Sequence, residues 1–268
     1  MYKSLALVLT IVLIGIGAAF LALDILDIAE GYKYSFPVAF TNTVFITLLA
    51  VPILYFTIRG LAVNRLPEIV ALNLAVFSFG FSILLYGWFT GLSLNARLVS
   101  YDSGIFLASI FHIIGMNYGK TGFDKTRTGS NVRFWAVCVI YVQIAILIGL
   151  ITWLGSLNFI DVTGTIIGNI GIRDVFHAVA VLLMLVTVFV FIKTYLKQHV
   201  DFYYWYLLGL VLLASGVFFI SIGQLEGRVA WAGRVCQYVS SIYFLAAAVY
   251  SGKKRKQQKR SDEYQLIA

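Results

Sequence analysis

Eight apolar segments of about twenty residues recur along the chain, separated by short polar stretches. They cover approximately residues 4–28, 38–58, 68–89, 103–119, 134–155, 175–195, 203–222 and 230–250. A run of about 20 apolar residues crosses the hydrocarbon core of a bilayer as a helix, and unbroken runs of that length favour helices over barrel strands. The pattern predicts an all-α, polytopic transmembrane bundle of eight spans. If the count were seven, the fourth segment, the shortest and most polar, is the one expected to drop out.

The composition leaves little room for anything beyond these spans. Of the 268 residues, 60% are hydrophobic and 12% are charged, and the mean hydropathy is +0.90. Such values exclude a water-soluble globular domain. We therefore expect one helical bundle over residues 1–252 and a short, basic, disordered cytoplasmic tail over residues 253–268.

The basic residues indicate how the chain is oriented. With eight spans, fifteen of the twenty Lys and Arg residues fall on the side of Lys3 and the tail, and five fall on the other side. Because Lys and Arg accumulate on the cytoplasmic side, this predicts a multi-pass cell-membrane protein with both termini in the cytoplasm. The tail is placed to contact anionic membrane lipids. A nucleic-acid partner is not expected, because no aromatic platform accompanies the basic residues.

His112 is the most informative polar residue inside an apolar segment. It lies nine residues after the predicted start of the fourth span, which at ~1.5 Å per residue places it near mid-bilayer. It is either a structural imidazole bonded to a neighbouring helix or a ligand-facing or proton-sensing group. A haem held between His112 and His177 is a further alternative, which the shallower position of His177 makes less favourable.

Further polar residues are expected to face an interior in the outer half of the bundle, namely Asn42, Asp102, Gln143, Arg234 and Gln237. Arg234 and Gln237 enter the last span, where lipid offers no hydrogen-bonding partner. Asp102 and Glu226 are their candidate partners.

Asp24, Asp27 and Glu30 recur at a spacing of three, which places their carboxylates along one stripe of the first helix. The stripe is either a set of oxygen ligands for a cation or a row of ion-paired or solvated acids, so a metal site is left open. The sequence contains no serine-nucleophile elbow, zinc-protease motif or phosphate-binding loop. We therefore predict no enzymatic activity and no cofactor.

Two stretches, Asn95–Gly115 and Trp231–Tyr243, carry a family resemblance, with shorter matches at Asn42–Thr47, Tyr86–Trp88 and Tyr204–Leu210. Together they resemble the N-terminal, multi-span sensing module (7TM-type) of archaeal and bacterial sensor histidine kinases, over most of residues 38–250. The resemblance implies a non-catalytic bundle that receives a signal. It groups Asn95, Asp102, His112, Arg234 and Gln237 as matched positions.

In those kinases PAS and kinase domains follow the bundle, whereas residues 253–268 of this chain leave no room for them. The resemblance therefore implies a separate cytoplasmic histidine kinase or other signalling protein as partner, and a homodimer is a further candidate assembly. We predict a receptor-like module that binds a small ligand, ion or lipid. The alternatives are a transporter or channel and, less favoured, a b-type haem protein.

Overall fold

A computed structural model of the chain describes residues 2–25, 40–64, 67–88, 93–121, 130–162, 165–167, 170–223 and 227–251. Within them are eight long helices: α1 (Tyr2–Ile25), α2 (π-helical over Thr43–Leu48 and α-helical over Leu49–Asn64), α3 (Pro67–Trp88), α4 (Leu94–Thr121), α5 (Ser130–Ser156), α6 (Ile172–Gln198), α7 (Asp201–Ile222) and α8 (Arg228–Ser251). A small antiparallel hairpin, β1 (Thr165–Ile167) and β2 (Ile170–Gly171), lies between α5 and α6. The predicted tail lies outside the described residues.

The predicted helical bundle is confirmed, and seven of its described helices are long and apolar enough to cross a membrane. The helix that falls short is α8. The prediction that the fourth segment would drop out of a seven-span count is wrong, because α4 qualifies over Leu94–Met116 with a hydropathy of 1.4. α8 is less apolar because its buried face carries polar groups, including Arg234, Gln237 and Ser240, that meet other helices.

Six of the helices close a ring. α2 packs against α3 and α8, α3 against α4, α4 against α6, α6 against α7, and α7 against α8. α1 lies outside the ring on α7 and α8, and α5 lies outside it on α3 and α4. Accordingly, only 17% of the span residues of α1 and 22% of those of α5 are buried, against 72% for α3. The outer faces of α1 and α5 are apolar, as a lipid environment requires.

The helices alternate in direction, so the ring has two ends. The hairpin end contains β1, β2 and the first turns of α4, α6 and α8, and the terminal end contains the first turns of α1 and α7. At the terminal end Lys3 pairs with Asp201, and the Tyr204 hydroxyl donates to the Lys3 carbonyl at 2.5 Å. These contacts hold α1 against α7.

Small residues let α7 and α8 approach closely. A Cβ added at Gly216 would lie 2.7 Å from the Gly233 carbonyl oxygen, and one added at Gly233 would lie 2.7 Å from that of Gly216. Only glycine fits such a contact between backbones. The approach fixes the neighbouring residues of α8, Arg234 and Gln237, at the ring interior.

The π-helical turn of α2 lies just before Pro52. Proline has no amide hydrogen, so the carbonyl four residues earlier, that of Leu48, receives no bond from it. A π-helical turn is one way in which a helix adjusts to a local disruption of this kind. The turn lies directly after Asn42, which lines the site described next.

Candidate functional site

A narrow cavity opens in the ring interior at the hairpin end. Every ring helix contributes to its lining, which consists of Asn42, Ile83, Tyr86, Leu98, Tyr101, Arg173, Ile220, Arg234 and Gln237. The space not filled by atoms is about 310 Å³, including the mouth. We call it the hairpin-end cavity.

A buried carboxylate lies beside this cavity. Asp102 Oδ1 is 2.8 Å from His177 Nε2 and 3.6 Å from Arg173 Nε. Arg173 and His177 are four residues apart on α6, which places them on the same helix face. The Tyr101 ring meets the His177 ring edge-on at 5.9 Å between centroids, so this group lies directly behind a side chain of the lining.

Three polar atoms of this group have no hydrogen-bond partner among the described residues: Asp102 Oδ2, His177 Nδ1 and Arg173 Nε. Asp102 is 3% exposed and His177 is 1% exposed. A buried polar atom without a partner is destabilising and is uncommon in native proteins. The group therefore keeps hydrogen-bonding capacity that the described part of the chain does not use.

Two hydrogen bonds cross the ring at the level of the cavity. Gln237 Nε2 donates to the Tyr101 hydroxyl at 2.6 Å, which joins α8 to α4. The Tyr238 hydroxyl donates to Asn42 Oδ1 at 2.7 Å, which joins α8 to the start of α2. The polar residues of α8 thus connect helices that are not neighbours in the chain.

Arg234 is the second cation of the lining and is 4% exposed. Its guanidinium lies over the Trp231 ring, 5.5 Å from the centroid. The expectation that Asp102 is the partner of Arg234 or Gln237 is wrong, because Asp102 faces His177 and Arg173 from α6. The other expected partner, Glu226, lies outside the described residues, as do Asp27, Glu30 and the side chain of Asp24.

Asn95 is near the cavity but is not part of its lining. Its Nδ2 donates to the carbonyls of Gly155 at 3.0 Å and Ile160 at 2.7 Å, and its Oδ1 accepts from the Val162 amide at 3.0 Å. All three of these hydrogen bonds connect Asn95 to the end of α5 and to the loop that follows it. Asn95 is a structural clamp at the rim of the hairpin end.

His112 is separate from these residues. Its Nδ1 is 2.7 Å from the Tyr206 hydroxyl, and its ring stacks on Phe244 at 5.6 Å between centroids. α4 begins nine residues earlier than predicted, at Leu94, so His112 lies in the half of the helix nearer the terminal end. The resemblance groups His112 with Asp102, Arg234 and Gln237 as matched positions, but the four do not form one cluster, since His112 lies ten positions after Asp102 on α4, about 15 Å along the helix axis.

His112 borders a second space in the ring, which we call the inner cavity. Its lining is mostly apolar and consists of Ile46, Ile53, Ala75, Val76, Phe79, Ala108, His112, Leu213, Ser241 and Phe244. His177 belongs instead to the hairpin end, through its contact with Asp102. The two imidazoles are therefore too far apart along the ring to bind opposite faces of one haem iron.

Gln143 lies on the exposed outer face of α5, outside the ring. The expectation that it completes the polar interior is wrong. α5 packs on α3 and α4 through residues such as Ile144 and Ile148, and Gln143 is turned about 100° away from Ile144 around the helix.

Sequence reasoning missed Tyr101, Arg173 and Tyr238 as site residues and treated His177 only as a haem ligand. The spacing of Arg173 and His177, four residues apart at the start of an apolar segment, was an available signal for a polar helix face. The tyrosines had no such signal, because tyrosine is common at membrane interfaces.

Among the described ranges, no group of three or more His, Cys, Asp or Glu side chains is arranged to hold a metal ion. Comparisons with protein-family models, with curated proteins and with solved structures give no match to this chain.

Proposed function

We propose that the chain is a membrane-embedded sensory module, without catalytic activity of its own, that binds a small ligand in the hairpin-end cavity. The observation that carries this proposal is the composition of the lining, to which all six ring helices contribute. An occupant of the cavity contacts each of them. Its binding therefore favours one packing arrangement of the ring over another, as ligand-driven population shifts require.

In this proposal all eight helices, α8 included, cross the cell membrane. Both chain termini are cytoplasmic, and the hairpin end faces outward. The distribution of the basic residues supports this orientation, with fifteen of twenty on the side of the terminal end. The cavity is then open to ligands from outside the cell.

The signal leaves the membrane through α8. Gln237 contacts the cavity near the start of this helix, and Tyr243 further along donates to the Ala6 carbonyl of α1 at 2.9 Å. A shift of α8 is thereby transmitted to α1 at the terminal end. The receiving partner is a cytoplasmic signalling protein, a histidine kinase by the resemblance described above, and a second copy of the chain is a candidate for assembly.

A transporter is the second candidate, and one observation favours it. The inner cavity lies in the same ring as the hairpin-end cavity and is lined by five of the same helices. Two cavities at successive depths are what a solute pathway needs. The two candidates differ in whether a bound solute crosses the bilayer.

The test begins with the full chain in lipid nanodiscs, screened against a library of neutral and charged metabolites by thermal unfolding. We expect at least one compound to stabilise the wild type and not the Gln237→Leu or Tyr101→Phe variants. Lys193→Gln, a substitution on the exposed face of α6, is the matched control and should respond like wild type. A screen without such a compound contradicts the proposal.

The same compound is then trapped in liposomes that contain the protein. A receptor leaves the gradient intact, whereas protein-dependent release assigns the chain to the transporter class. This measurement separates the two candidates whatever the chemistry of the compound.

A further inference from the structure

We infer that the chain forms a symmetric dimer in the membrane through the outer face of α5, with Gln143 of each copy hydrogen-bonded to the partner's Gln143. The inference specifies the interface for the second copy that the proposed function allows. It rests on that proposal in one respect, namely that α5 crosses the bilayer, for which this helix is long and apolar enough.

The Gln143 amide lies at hydrocarbon depth when α5 crosses the bilayer. The span covers Cys138–Ser156, and Gln143 is four residues from its midpoint, about 6 Å along the axis. The hydrocarbon core extends about 15 Å to either side of its centre, so Gln143 is well below the headgroups. Glutamine is also shorter than the lysine and arginine side chains that reach the headgroups from inside the bilayer.

This amide faces outward without a partner within the part of the chain that the structure describes. Gln143 is exposed and makes no hydrogen bond with a described residue. The other Asn and Gln residues of the seven candidate spans, Asn42, Asn73 and Asn95, are buried among the helices. Lipid tails neither donate nor accept hydrogen bonds, so an amide that faces them is costly. A second amide at the same depth supplies both a donor and an acceptor, and Asn and Gln bond across membrane helices in this way.

The residues around Gln143 form a stripe with the spacing of a coiled-coil seam. Val139, Gln143, Ile146, Leu150 and Trp153 follow one another at alternating intervals of four and three residues, as a and d positions do. The four apolar members are between 48% and 64% exposed. Such a stripe packs against an equivalent helix at a small crossing angle, and one polar residue at an a position fixes the register of the pair.

The membrane itself makes equal residues meet. All copies of a membrane protein insert in the same orientation, so the two-fold axis of a symmetric dimer lies along the bilayer normal. The two α5 helices then run parallel, and Gln143 meets the partner's Gln143 at the same depth. α1, the other helix outside the ring, has no such residue, because its exposed residues between Leu5 and Ala22 are all apolar.

The experiment measures association of the full chain in liposomes. Copies that carry a donor or an acceptor fluorophore are mixed, and energy transfer is followed as the protein-to-lipid ratio is varied. We expect transfer that saturates and is reversed by dilution with lipid. Gln143→Leu should require a ratio about tenfold higher for half-association, since one substitution removes both amides of the interface. Transfer that never exceeds the value for random proximity overturns the inference, as does an unaltered ratio in Gln143→Leu.

Matched variants separate the interface from general effects on the protein. The single chain of Gln143→Leu should fold like wild type, and Gln143→Asn, which keeps an amide, should associate more strongly than Gln143→Leu. Leu150→Ala on the stripe should weaken association, whereas Leu185→Ala on the outer face of α6 should not. These two leucines are 48% and 50% exposed, so the two substitutions remove comparable lipid-facing surface. An equal effect of both overturns the assignment to α5.

Cross-linking locates the two-fold axis. Ile146→Cys is made in a chain whose free cysteines, Cys138 and Cys236, are replaced with alanine, so that Gln143 is retained. Oxidation with copper phenanthroline should give a covalent dimer through this position and none through Leu185→Cys in the same background. Cross-linking through Leu185→Cys alone overturns the inference.

The outcome is separable from that of the proposed function. A ligand response in a chain that stays monomeric contradicts the α5 interface and leaves the sensory module standing. A dimer that depends on Gln143, in a chain to which no compound binds, supports the interface and contradicts the sensory role. Modification of Gln143→Cys by a membrane-impermeant maleimide would contradict the span of α5, on which the interface depends.

Discussion

The inner cavity and the hairpin end of the ring differ in whether their buried polar groups have hydrogen-bonding partners within the described residues. Near the terminal end, the one imidazole of the inner cavity, His112, is bonded to Tyr206 and enclosed by aromatic rings. At the hairpin end, Asp102, His177 and Arg173 retain atoms that no described residue satisfies. A polar group whose partner is supplied by its own chain adds stability and specificity to packing. One whose partner is missing remains able to bind a ligand.

Asp102→Ala tests the hairpin end and should have the largest effect. The substitution leaves Arg173 and His177 without the carboxylate that both approach. Breaking a buried pair from one side costs about 3–5 kcal/mol of unfolding free energy. Unfolding by SDS in mixed micelles measures the loss, and Asp102→Asn, which keeps an acceptor oxygen, should lose less. A loss below about 1 kcal/mol would show that the pair contributes little to stability.

His112→Ala tests the inner cavity. It removes a buried ring and the hydrogen bond between His112 Nδ1 and the Tyr206 hydroxyl. We expect a loss of about 2–4 kcal/mol in the same unfolding assay, with unchanged ligand binding in the hairpin-end cavity. The double variant His112→Phe/Tyr206→Phe removes both polar partners and restores an apolar ring, so it should be nearly as stable as wild type. If that stable double variant lost ligand binding, the contrast between the two levels would be wrong.

Asn95→Ala tests whether the rim of the hairpin end is only structural. The loop after α5 loses its amide clamp, which includes the bond from the Val162 amide. We expect a loss of about 1–3 kcal/mol and faster hydrogen exchange at the Val162 amide. Ligand affinity, measured under conditions where the variant is fully folded, should change little, because Asn95 does not line the cavity. Unchanged exchange at Val162 would refute the clamp.

Gln143→Leu should have the smallest effect. This side chain lies on the exposed outer face of α5, away from both cavities. An apolar side chain suits that position in lipid, so we expect unfolding free energy within about 0.5 kcal/mol of wild type and unaltered binding. Loss of binding in this variant would place the ligand site elsewhere than in the ring.

Much of the architecture follows from the hydrophobic pattern. All eight predicted segments correspond to helices, because an apolar run of this length has few alternatives in a bilayer. The start of α4 was missed by nine residues, since Asn95, Arg97 and Asp102 make its first turns polar. The polar side chains of these turns have hydrogen-bonding partners elsewhere in the protein. The Tyr86 carbonyl, for example, accepts a hydrogen bond from Arg97 Nε at 2.9 Å. A hydropathy profile contains no information about such partners.

The site was predicted only in part, for a related reason. Asn42, Arg234 and Gln237 were expected in the interior and line the cavity. Gln143 was assigned to the wrong face, because an isolated amide in an apolar run does not specify which side of the helix meets protein. The pairing of Asp102 with α6 depended on the order of helices around the ring, which the sequence of one chain does not contain.

The low hydropathy of α8 has a consequence for how the protein is made. A helix carrying Arg234, Gln237 and Ser240 is a poor candidate for stable residence in lipid alone, whereas beside α7 and α2 its polar face is enclosed. In the proposed eight-span arrangement, membrane insertion of α8 is coupled to its docking, with Gly216 and Gly233 as the contact. Because α8 is the final described helix, the ribosome must have completed it before the ring closes and a ligand can be bound.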